Sequence, residues 1–238
     1  MSNHSVDCDF CGKDMRGLCG VKGCDTQEQA NECVHYKLEM SSISDEQLNE
    51  VAAWINTFRW AGKVERTHTI PTHQRYNVAE HVYNVLMIAI ELCELIEIDS
   101  ANVVRAILIH DVEELYIGDM PADVKLDKKL NKIITLIEQK WVAENVPSHH
   151  TDITLTDLEY HIVKIADTLE LAYFCIDEIN FGNRNVPLFK MISNIFIIMN
   201  SKMIAIEHEY IEIQNYVELV LNELRKAATT NNQLTLDV

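Results

Sequence analysis

Apolar residues recur at spacings of three and four along most of this chain, which is the period of one face of an α-helix. The pattern begins near residue 44 and continues to about residue 228. No stretch alternates apolar and polar residues over the length of a β-strand, and beyond residue 44 glycine and proline fall only where a periodic segment stops. The pattern therefore predicts an all-α helical bundle.

Side chains that can cap a helix mark where the predicted helices begin. Ser44, Asn77 and Thr156 are each followed three residues later by Gln or Glu, which favours a capping box. Ser100 and Asp127 are predicted to cap two further helices. The predicted helices cover residues 44–57, 77–96, 100–109, 127–145 and 156–182, with one or two more between 187 and 228.

The length and charge of the chain restrict its partners. Its 238 residues are enough for one large domain with its own hydrophobic core. It has 37 Asp and Glu against 20 Lys and Arg, which gives a formal net charge of −17. Nucleic acids and anionic membranes attract positive surfaces, so this charge argues against both as partners. A small phosphorylated substrate is compatible, provided that a basic pocket or a bound metal supplies local positive charge.

The N-terminus carries no apolar segment typical of a secretory signal, and no apolar run has the length of a membrane span. We therefore expect a soluble, cytoplasmic protein. In that compartment the seven cysteines are expected to be thiols or metal ligands rather than disulfides.

Four of the cysteines lie in a short, glycine-rich N-terminal segment: Cys8, Cys11, Cys19 and Cys24. We expect this Cys-rich segment, residues 1–40, to be separate from a main domain at 41–238. Four thiolates at this spacing suit a structural zinc ion, although the second pair is spaced more widely than in C-x2-C. An iron–sulfur cluster or free thiols are the alternatives.

Four ionisable residues lie on helix faces that are otherwise apolar: His81, His110, Asp111 and Asp167. A buried carboxylate is costly unless it is paired or bound to a cation. Any one of these residues could be a core residue with an ordinary hydrogen-bond partner. Four of them on three helices of one bundle favour a divalent-metal site instead.

The same four residues resemble the H…HD…D signature of the HD superfamily of metal-dependent phosphohydrolases. Local strings narrow the resemblance to the bacterial HD-domain 5′-deoxynucleotidases. In order, these strings are Arg59-Trp60, NVAEH at 77–81, HDVEE at 110–114, GDMPADVK at 118–125 and KIAD at 164–167. The resemblance extends from about residue 44 to at least residue 190 and implies an HD-domain helical bundle.

The resemblance implies a role for each matching position. The family's single catalytic metal ion would be held by His81, His110, Asp111 and Asp167. Glu114 matches the catalytic carboxylate, Arg59 the arginine that orients the substrate phosphate, and Trp60 the tryptophan beside the deoxyribose. The loop that holds the nucleoside and its 3′-hydroxyl matches Asp119, Met120, Pro121 and Ala122, with Asp119 also counted among the catalytic residues.

The chemistry of these residue types agrees with the resemblance. A divalent ion lowers the pKa of a bound water and polarises a phosphoryl oxygen. Glu114, three residues after Asp111, could orient or deprotonate the attacking water, or move a proton to the leaving 5′-oxygen. Without the motif, Glu114 would be interpreted as a solvated glutamate, and Trp60 could equally be a core aromatic.

Residues 59–75 are locally basic in an acidic chain. Together with the string at 118–125 they supply candidate phosphate contacts: Lys63, Arg66, Arg75 and Lys125. Lys63 and Arg66 could equally be surface charges. The segment between Trp60 and His81 is longer than is usual in the family, and the added basic length could serve a triphosphate tail.

The sequence therefore predicts a phosphoric monoester hydrolase, a 5′-deoxynucleotidase that converts a deoxynucleoside monophosphate and water to a deoxynucleoside and phosphate. The alternatives are a deoxynucleoside triphosphate triphosphohydrolase and an inactive HD bundle that acts as a binding module. Two His and two Asp ligands admit Co, Mn, Fe, Ni or Zn, and suit Mg less well. A homodimer is implied by the resemblance alone.

Overall fold

A computed structural model describes residues 44–206 and 210–230 of the chain. Over these residues the chain is helical and forms no strand; Glu65 and Asn77 make one isolated antiparallel bridge. The predicted all-α bundle is confirmed. In chain order the elements are α1 (Asp45–Phe58), a 3₁₀ helix (Arg59–Lys63), α2 (Val78–Leu95), α3 (Ala101–Ile109), α4 (Glu114–Ile117), α5 (Ala122–Leu126), α6 (Lys128–Asn145), α7 (Ser148–Thr151), α8 (Asp157–Asn180), α9 (Val186–Ala205) and α10 (Ile211–Thr230).

The contacts within the chain divide it into two compact units, residues 1–53 and 54–238. The described part of the first unit begins at Ser44, whose hydroxyl accepts the Gln47 amide at 3.2 Å while its own amide donates to Gln47 Oε1 at 2.8 Å. The boundary expected after residue 40 lies outside the described residues and stays a prediction. The same holds for the proposed zinc ligands Cys8, Cys11, Cys19 and Cys24.

The second unit is built around α8, which packs against α2, α3, α9 and α10. Its largest fully buried side chains include Leu92, Ile107, Ile162, Ile165, Leu169, Leu188, Ile195, Met199, Ile213 and Leu224. Burying an aliphatic side chain of this size contributes about 1.5–3 kcal/mol. Because α8 is enclosed by four other helices, any polar group on its buried faces must be satisfied inside the protein.

Three predicted helix starts in the second unit are capped as expected. Asn77 Oδ1 accepts the Glu80 amide at 3.0 Å. Asp127 Oδ1 accepts two amides of the first turn of α6 at 2.8 and 3.1 Å. Thr156 and Glu159 form a reciprocal capping box. The Glu159 amide donates to the Thr156 hydroxyl at 3.2 Å, and the Thr156 amide donates to Glu159 Oε2 at 2.7 Å.

The helix predicted to begin at Ser100 is confirmed, but the predicted side-chain cap is wrong. Ser100 occupies the N-cap position of α3, but its side chain makes no capping hydrogen bond. The Asp99 carboxylate takes this role instead and accepts the Ala101 amide at 3.0 Å. The segment between residues 187 and 228 forms two helices, α9 and α10. The 3₁₀ helix, α4, α5 and α7 were not predicted, because four or five residues are too few to show a period.

By length and composition alone, α9 is the one helix of the described residues that could cross a membrane. Its Leu188, Ile195 and Met199 are fully buried. These side chains belong to the hydrophobic core of the bundle, so one face of α9 packs into that core, while Val186, Ile197 and Ile204 are exposed.

Candidate metal centre

Three helices bring the four candidate metal ligands together. His81 lies in the first turns of α2, His110 and Asp111 follow the end of α3, and Asp167 lies near the middle of α8. His81 Nε2 is 3.3 Å from His110 Nε2, 3.4 Å from Asp111 Oδ2 and 3.3 Å from Asp167 Oδ1. Because α8 packs against both α2 and α3, these side chains meet inside the bundle.

The donor atoms lie close enough for a single ion. The ligand atoms of His81, His110 and Asp111 are all within 4.8 Å of one another. Asp167 joins this group through its contact with His81. Two imidazoles with two carboxylates form a mixed nitrogen and oxygen donor set that suits a divalent transition metal.

Both imidazole rings direct the same nitrogen towards this centre. His81 Nδ1 lies 2.7 Å from the Glu170 carboxylate, and His110 Nδ1 lies 2.6 Å from the carbonyl oxygen of Ile107. Carboxylates and carbonyls only accept hydrogen bonds, so each Nδ1 donates. The two Nε2 atoms then face each other at 3.3 Å, and two facing lone pairs need a proton or a cation between them.

The pKa values of its side chains indicate which groups of the centre carry charge when no metal ion is bound. Burial lowers the pKa of His81, but hydrogen bonds with Asp111, Asp167 and Glu170 outweigh this effect and raise it to about 10. Burial raises the pKa of Asp111 and of Asp167, yet their hydrogen bonds with His81 leave both below the ordinary value. A proton on His81 thus supplies positive charge, and a metal ion at Nε2 has to replace it.

Arg66 reaches the same centre from the loop after the 3₁₀ helix. Its Nη1 donates to Asp111 and, at 3.0 Å, to Glu114 Oε2. The side chain is only 14% exposed, which excludes the alternative of a surface charge. Its Nε is buried and has no hydrogen-bond partner among the described residues. The buried hydroxyl of Thr67 also lacks one, while the Thr67 amide donates to Asp119 Oδ2 at 2.9 Å.

Glu114 is buried beside this guanidinium. It begins α4 and is 3% exposed, which excludes the alternative of a solvated glutamate. Burial and the charge of Asp111 raise the pKa of Glu114 to about 8, against the opposite effect of Arg66. Lys125 Nζ lies 3.9 Å from Glu114 Oε1. A carboxyl that titrates near neutral pH can both accept and release a proton.

The residues implied to bind substrate lie on two short elements. The 3₁₀ helix packs against α2 and α4. It begins with Arg59 and Trp60, which are both exposed. Because Trp60 is 64% exposed, the alternative of a core aromatic is excluded. The turn between α4 and α5 contains the half-buried Asp119, Met120 and Pro121, and Ala122 is the first residue of α5.

The four candidate phosphate contacts differ in where they lie. Arg66 and Lys125 contact Glu114. Lys63 and Arg75 are exposed and make no ion pair with any described residue. Arg75 lines a separate cavity of about 310 Å³, which has Glu170 on its wall.

A buried carboxylate that sequence reasoning missed fastens the loop carrying Arg66. Glu178, near the end of α8, is fully buried. It accepts the amides of His73 at 2.8 Å and Gln74 at 2.9 Å. Asn183 Nδ2 donates to the same carboxylate at 2.7 Å. Three donors satisfy this buried charge, so the loop is held to α8 by hydrogen bonds rather than by apolar packing alone.

Sequence reasoning also missed Glu170, which contacts His81. Glu170 follows Asp167 by three residues, and Glu178 follows Phe174 by four. Both therefore continue the helix face that carries Asp167. This spacing was the available signal for both.

Comparisons with known proteins bear on this site. The family model for YfbR-like 5′-deoxynucleotidases matches residues 52–223. The 5′-deoxynucleotidase YfbR of Escherichia coli O127:H6 is 29% identical over an alignment of 132 residues, and the alignment covers 48% of this chain and 66% of that protein. A 5′-deoxynucleotidase of Citrobacter koseri is 27% identical with the same coverage. The chain thus spans about two thirds of the length of the curated relatives that it matches.

Two solved structures share the fold. One is the HD phosphohydrolase DatZ of cyanophage S-2L, bound to dA and one catalytic Zn²⁺ ion. Its TM-score is 0.56 and its sequence identity is 16%, and the match covers 72% of this chain and 96% of that protein. An HD-domain phosphohydrolase of Listeria innocua has a TM-score of 0.56 and 21% identity, covering 78% and 99%. At these identities the likeness establishes the fold of the bundle alone.

The anchoring of the loop by Glu178 can be tested by hydrogen exchange. In Glu178→Gln one carboxylate oxygen becomes an NH₂ group, which faces donors and cannot accept from them. We expect amide exchange at His73 and Gln74 to become at least ~10-fold faster and the free energy of unfolding to fall by about 1–3 kcal/mol. Asp177→Asn, at an exposed neighbouring position, is the control and should change neither. Unchanged exchange at both amides in Glu178→Gln would contradict the anchoring.

Proposed function

The chain belongs to the YfbR-like 5′-deoxynucleotidase family, and on that premise we propose that it hydrolyses deoxynucleoside 5′-monophosphates to a deoxynucleoside and phosphate. The observation that carries the proposal is the convergence of His81, His110 and Asp111 beside a buried carboxyl, Glu114, and a buried guanidinium, Arg66. Metal ligands, a group that moves protons and a fixed positive charge are what hydrolysis of a phosphate ester requires.

We assign His81, His110, Asp111 and Asp167 as the ligands of one catalytic divalent metal ion. When bound, the ion would lower the pKa of water and polarise a phosphoryl oxygen. This donor set admits Co, Mn, Fe, Ni or Zn. The catalytic Zn²⁺ of the cyanophage structure supports zinc as one of these candidates.

Glu114 is assigned to proton transfer. With a pKa raised to about 8 by burial and by Asp111, it can accept a proton from the attacking water or give one to the leaving 5′-oxygen. The hydrogen bond from Arg66 Nη1 and the nearby ammonium of Lys125 hold the two carboxyl oxygens of Glu114 in place. Fixed orientation of this kind is what a group needs to act in a transition state.

Positive charge for the phosphate is assigned to Arg66 and Arg59. Among the described residues, the buried Nε of Arg66 has no hydrogen-bond partner, so its two carboxylate partners do not use the full donor capacity of the guanidinium. Arg59 is exposed on the 3₁₀ helix and makes no ion pair within the described part of the chain. Guanidinium groups match the geometry of phosphate oxygens and can bind two at once.

The nucleoside is assigned to the 3₁₀ helix and the turn before α5. Trp60 is 64% exposed, so its ring is accessible for contact with a sugar. The turn residues Asp119 to Ala122 would hold the sugar hydroxyl, and the hydrogen bond from Thr67 fixes the Asp119 carboxylate. The dA bound to the cyanophage enzyme supports a deoxynucleoside as the ligand.

Of the two alternative functions, neither is favoured by a contact in the structure. A triphosphate tail would need further basic groups near the centre, and among the described residues no hydrogen bond or ion pair joins Lys63 or Arg75 to a residue of the centre. An inactive binding module would have no need of the buried Glu114 and its partner Arg66.

Three further assignments belong to the same proposal. We keep the expectation from the sequence that the enzyme is cytoplasmic. We also infer a homodimer, on the family resemblance. A structural zinc ion on the N-terminal cysteines remains a proposal based on their spacing.

The role of Glu114 can be tested by one substitution. In Glu114→Gln the side chain keeps its size but can no longer exchange a proton, so phosphate release from dAMP should fall by about 10²- to 10⁴-fold. Metal content should stay at the wild-type level. Glu113→Gln, at the preceding position, is the matched control and should retain activity. Near-normal phosphate release by the metal-loaded Glu114→Gln protein would refute the assignment.

The substrate class can be decided by incubating the metal-loaded protein separately with dAMP, AMP and dATP and identifying the products. We expect free phosphate from dAMP and much less from AMP, because the family resemblance implies a tight sugar pocket that disfavours the ribose 2′-hydroxyl. Intact triphosphate released from dATP would establish the triphosphohydrolase instead. No product from any of the three would leave the binding module as the remaining function.

A further inference from the structure

Glu170 is a buried carboxylate to which neither the sequence resemblance nor the proposed reaction assigns a role. It lies one helical turn after Asp167 on α8 and is 2% exposed. Its Oε2 is 2.7 Å from His81 Nδ1 and also accepts the hydroxyl of Tyr76. Asn84 Nδ2 approaches its other oxygen at 3.4 Å. A charge at this depth is retained only where donors of this kind surround it.

The contact determines which nitrogen of His81 is free. A carboxylate only accepts hydrogen bonds, so Glu170 requires a proton on His81 Nδ1. The lone pair of the neutral ring then lies on Nε2, the atom that faces His110, Asp111 and Asp167. A carboxylate on the far nitrogen also orients an imidazole and makes it a stronger ligand.

His81 and His110 achieve the same orientation by different means. The partner of His110 Nδ1 is the main-chain carbonyl of Ile107, which the fold supplies whatever the side chain is. The partner of His81 Nδ1 is the side chain of Glu170, so it can be removed by one substitution.

Tyr76 completes the arrangement from the loop side. Its ring stacks on Phe174 with a centroid distance of 4.3 Å, and its hydroxyl donates to Glu170 while lying 3.0 Å from His81 Nδ1. The guanidinium of Arg66 lies 5.9 Å from the centroid of the same ring. The loop that carries Arg66 is therefore joined to the far side of His81.

We propose that Glu170, held by Tyr76, is a positioning residue that fixes the tautomer and ring orientation of His81 so that Nε2 is available to a metal ion. The proposal rests on the metal site of the proposed function. Glu170 would thus belong to the metal centre through its hydrogen bond with the ligand His81, without contacting the ion itself.

The test measures metal binding, not turnover. Mn²⁺ is the probe, because the carboxylate oxygens of this centre suit it better than the thiolates of the N-terminal cysteines. A glutamine side chain can present either its oxygen or its NH₂ group to His81 Nδ1, so Glu170→Gln no longer enforces one tautomer. We expect the Kd of this variant for Mn²⁺, from calorimetric titration of the folded full chain, to rise about 10- to 100-fold. Asp177→Asn is the control and should keep the wild-type Kd.

A second variant keeps the test valid if Glu170→Gln does not fold. Tyr76→Phe leaves the stacked ring in place and removes only the hydroxyl, so a smaller rise in Kd is expected. In the zinc-loaded wild type, ¹⁵N spectra should show the His81 proton on Nδ1, and this signal should be weakened or split in the folded variant.

Wild-type Mn²⁺ affinity in folded Glu170→Gln, or a zinc-loaded wild type without a proton on His81 Nδ1, would overturn the proposal. The outcome is separable from that of the proposed function. A protein that binds Mn²⁺ through His81 but releases no phosphate from dAMP would refute the hydrolase while leaving the result for Glu170 intact.

Discussion

The structure depends on a buried excess of negative charge around one imidazole ring. Asp111, Asp167 and Glu170 all lie within 3.4 Å of a nitrogen of His81. Removing this much charge from water is unfavourable unless a cation is present. In the absence of a metal ion a proton on His81 and the guanidinium of Arg66 supply positive charge. The proposed catalytic ion would replace the proton on His81 as a source of positive charge.

One helix organises the centre. The face of α8 presents Asp167 to His81 as a candidate ligand, Glu170 to the far side of the same ring, and Glu178 to the loop that delivers Arg66. These carboxylates follow one another at helical spacing, so they act along one rigid element. Because α8 packs against four other helices, polar groups on its buried faces find their partners within the protein.

The sequence predicted the helical class and most of the long helices, because periodicity and capping are local properties. It also proposed the four candidate ligands that the structure brings together. Ser100 shows where local reasoning fails, since Asp99 is a competing acceptor one residue away and only the backbone geometry decides between them. The sequence could not distinguish Arg66 from surface lysines and arginines. Its burial depends on the conformation of its loop, and the loop is held by Glu178, which lies about 100 residues further along the chain. Glu170 could have been found, since it lies one turn beyond Asp167, but its partner His81 is on another helix.

The central claim is that this centre holds a divalent cation, and calorimetric titration with Mn²⁺ in two buffers of different ionisation enthalpy tests it most directly. The pKa of His81 is raised to about 10, so at about pH 8 the ring is protonated in the metal-free protein. We predict one Mn²⁺ ion at this centre, with about one proton released and an affinity that increases as the pH rises towards 10. Both the binding of Mn²⁺ at this centre and the release of a proton should be lost in His110→Ala. The proposed metal site would be refuted if the wild type bound no Mn²⁺, or bound it without proton release and equally well after that substitution.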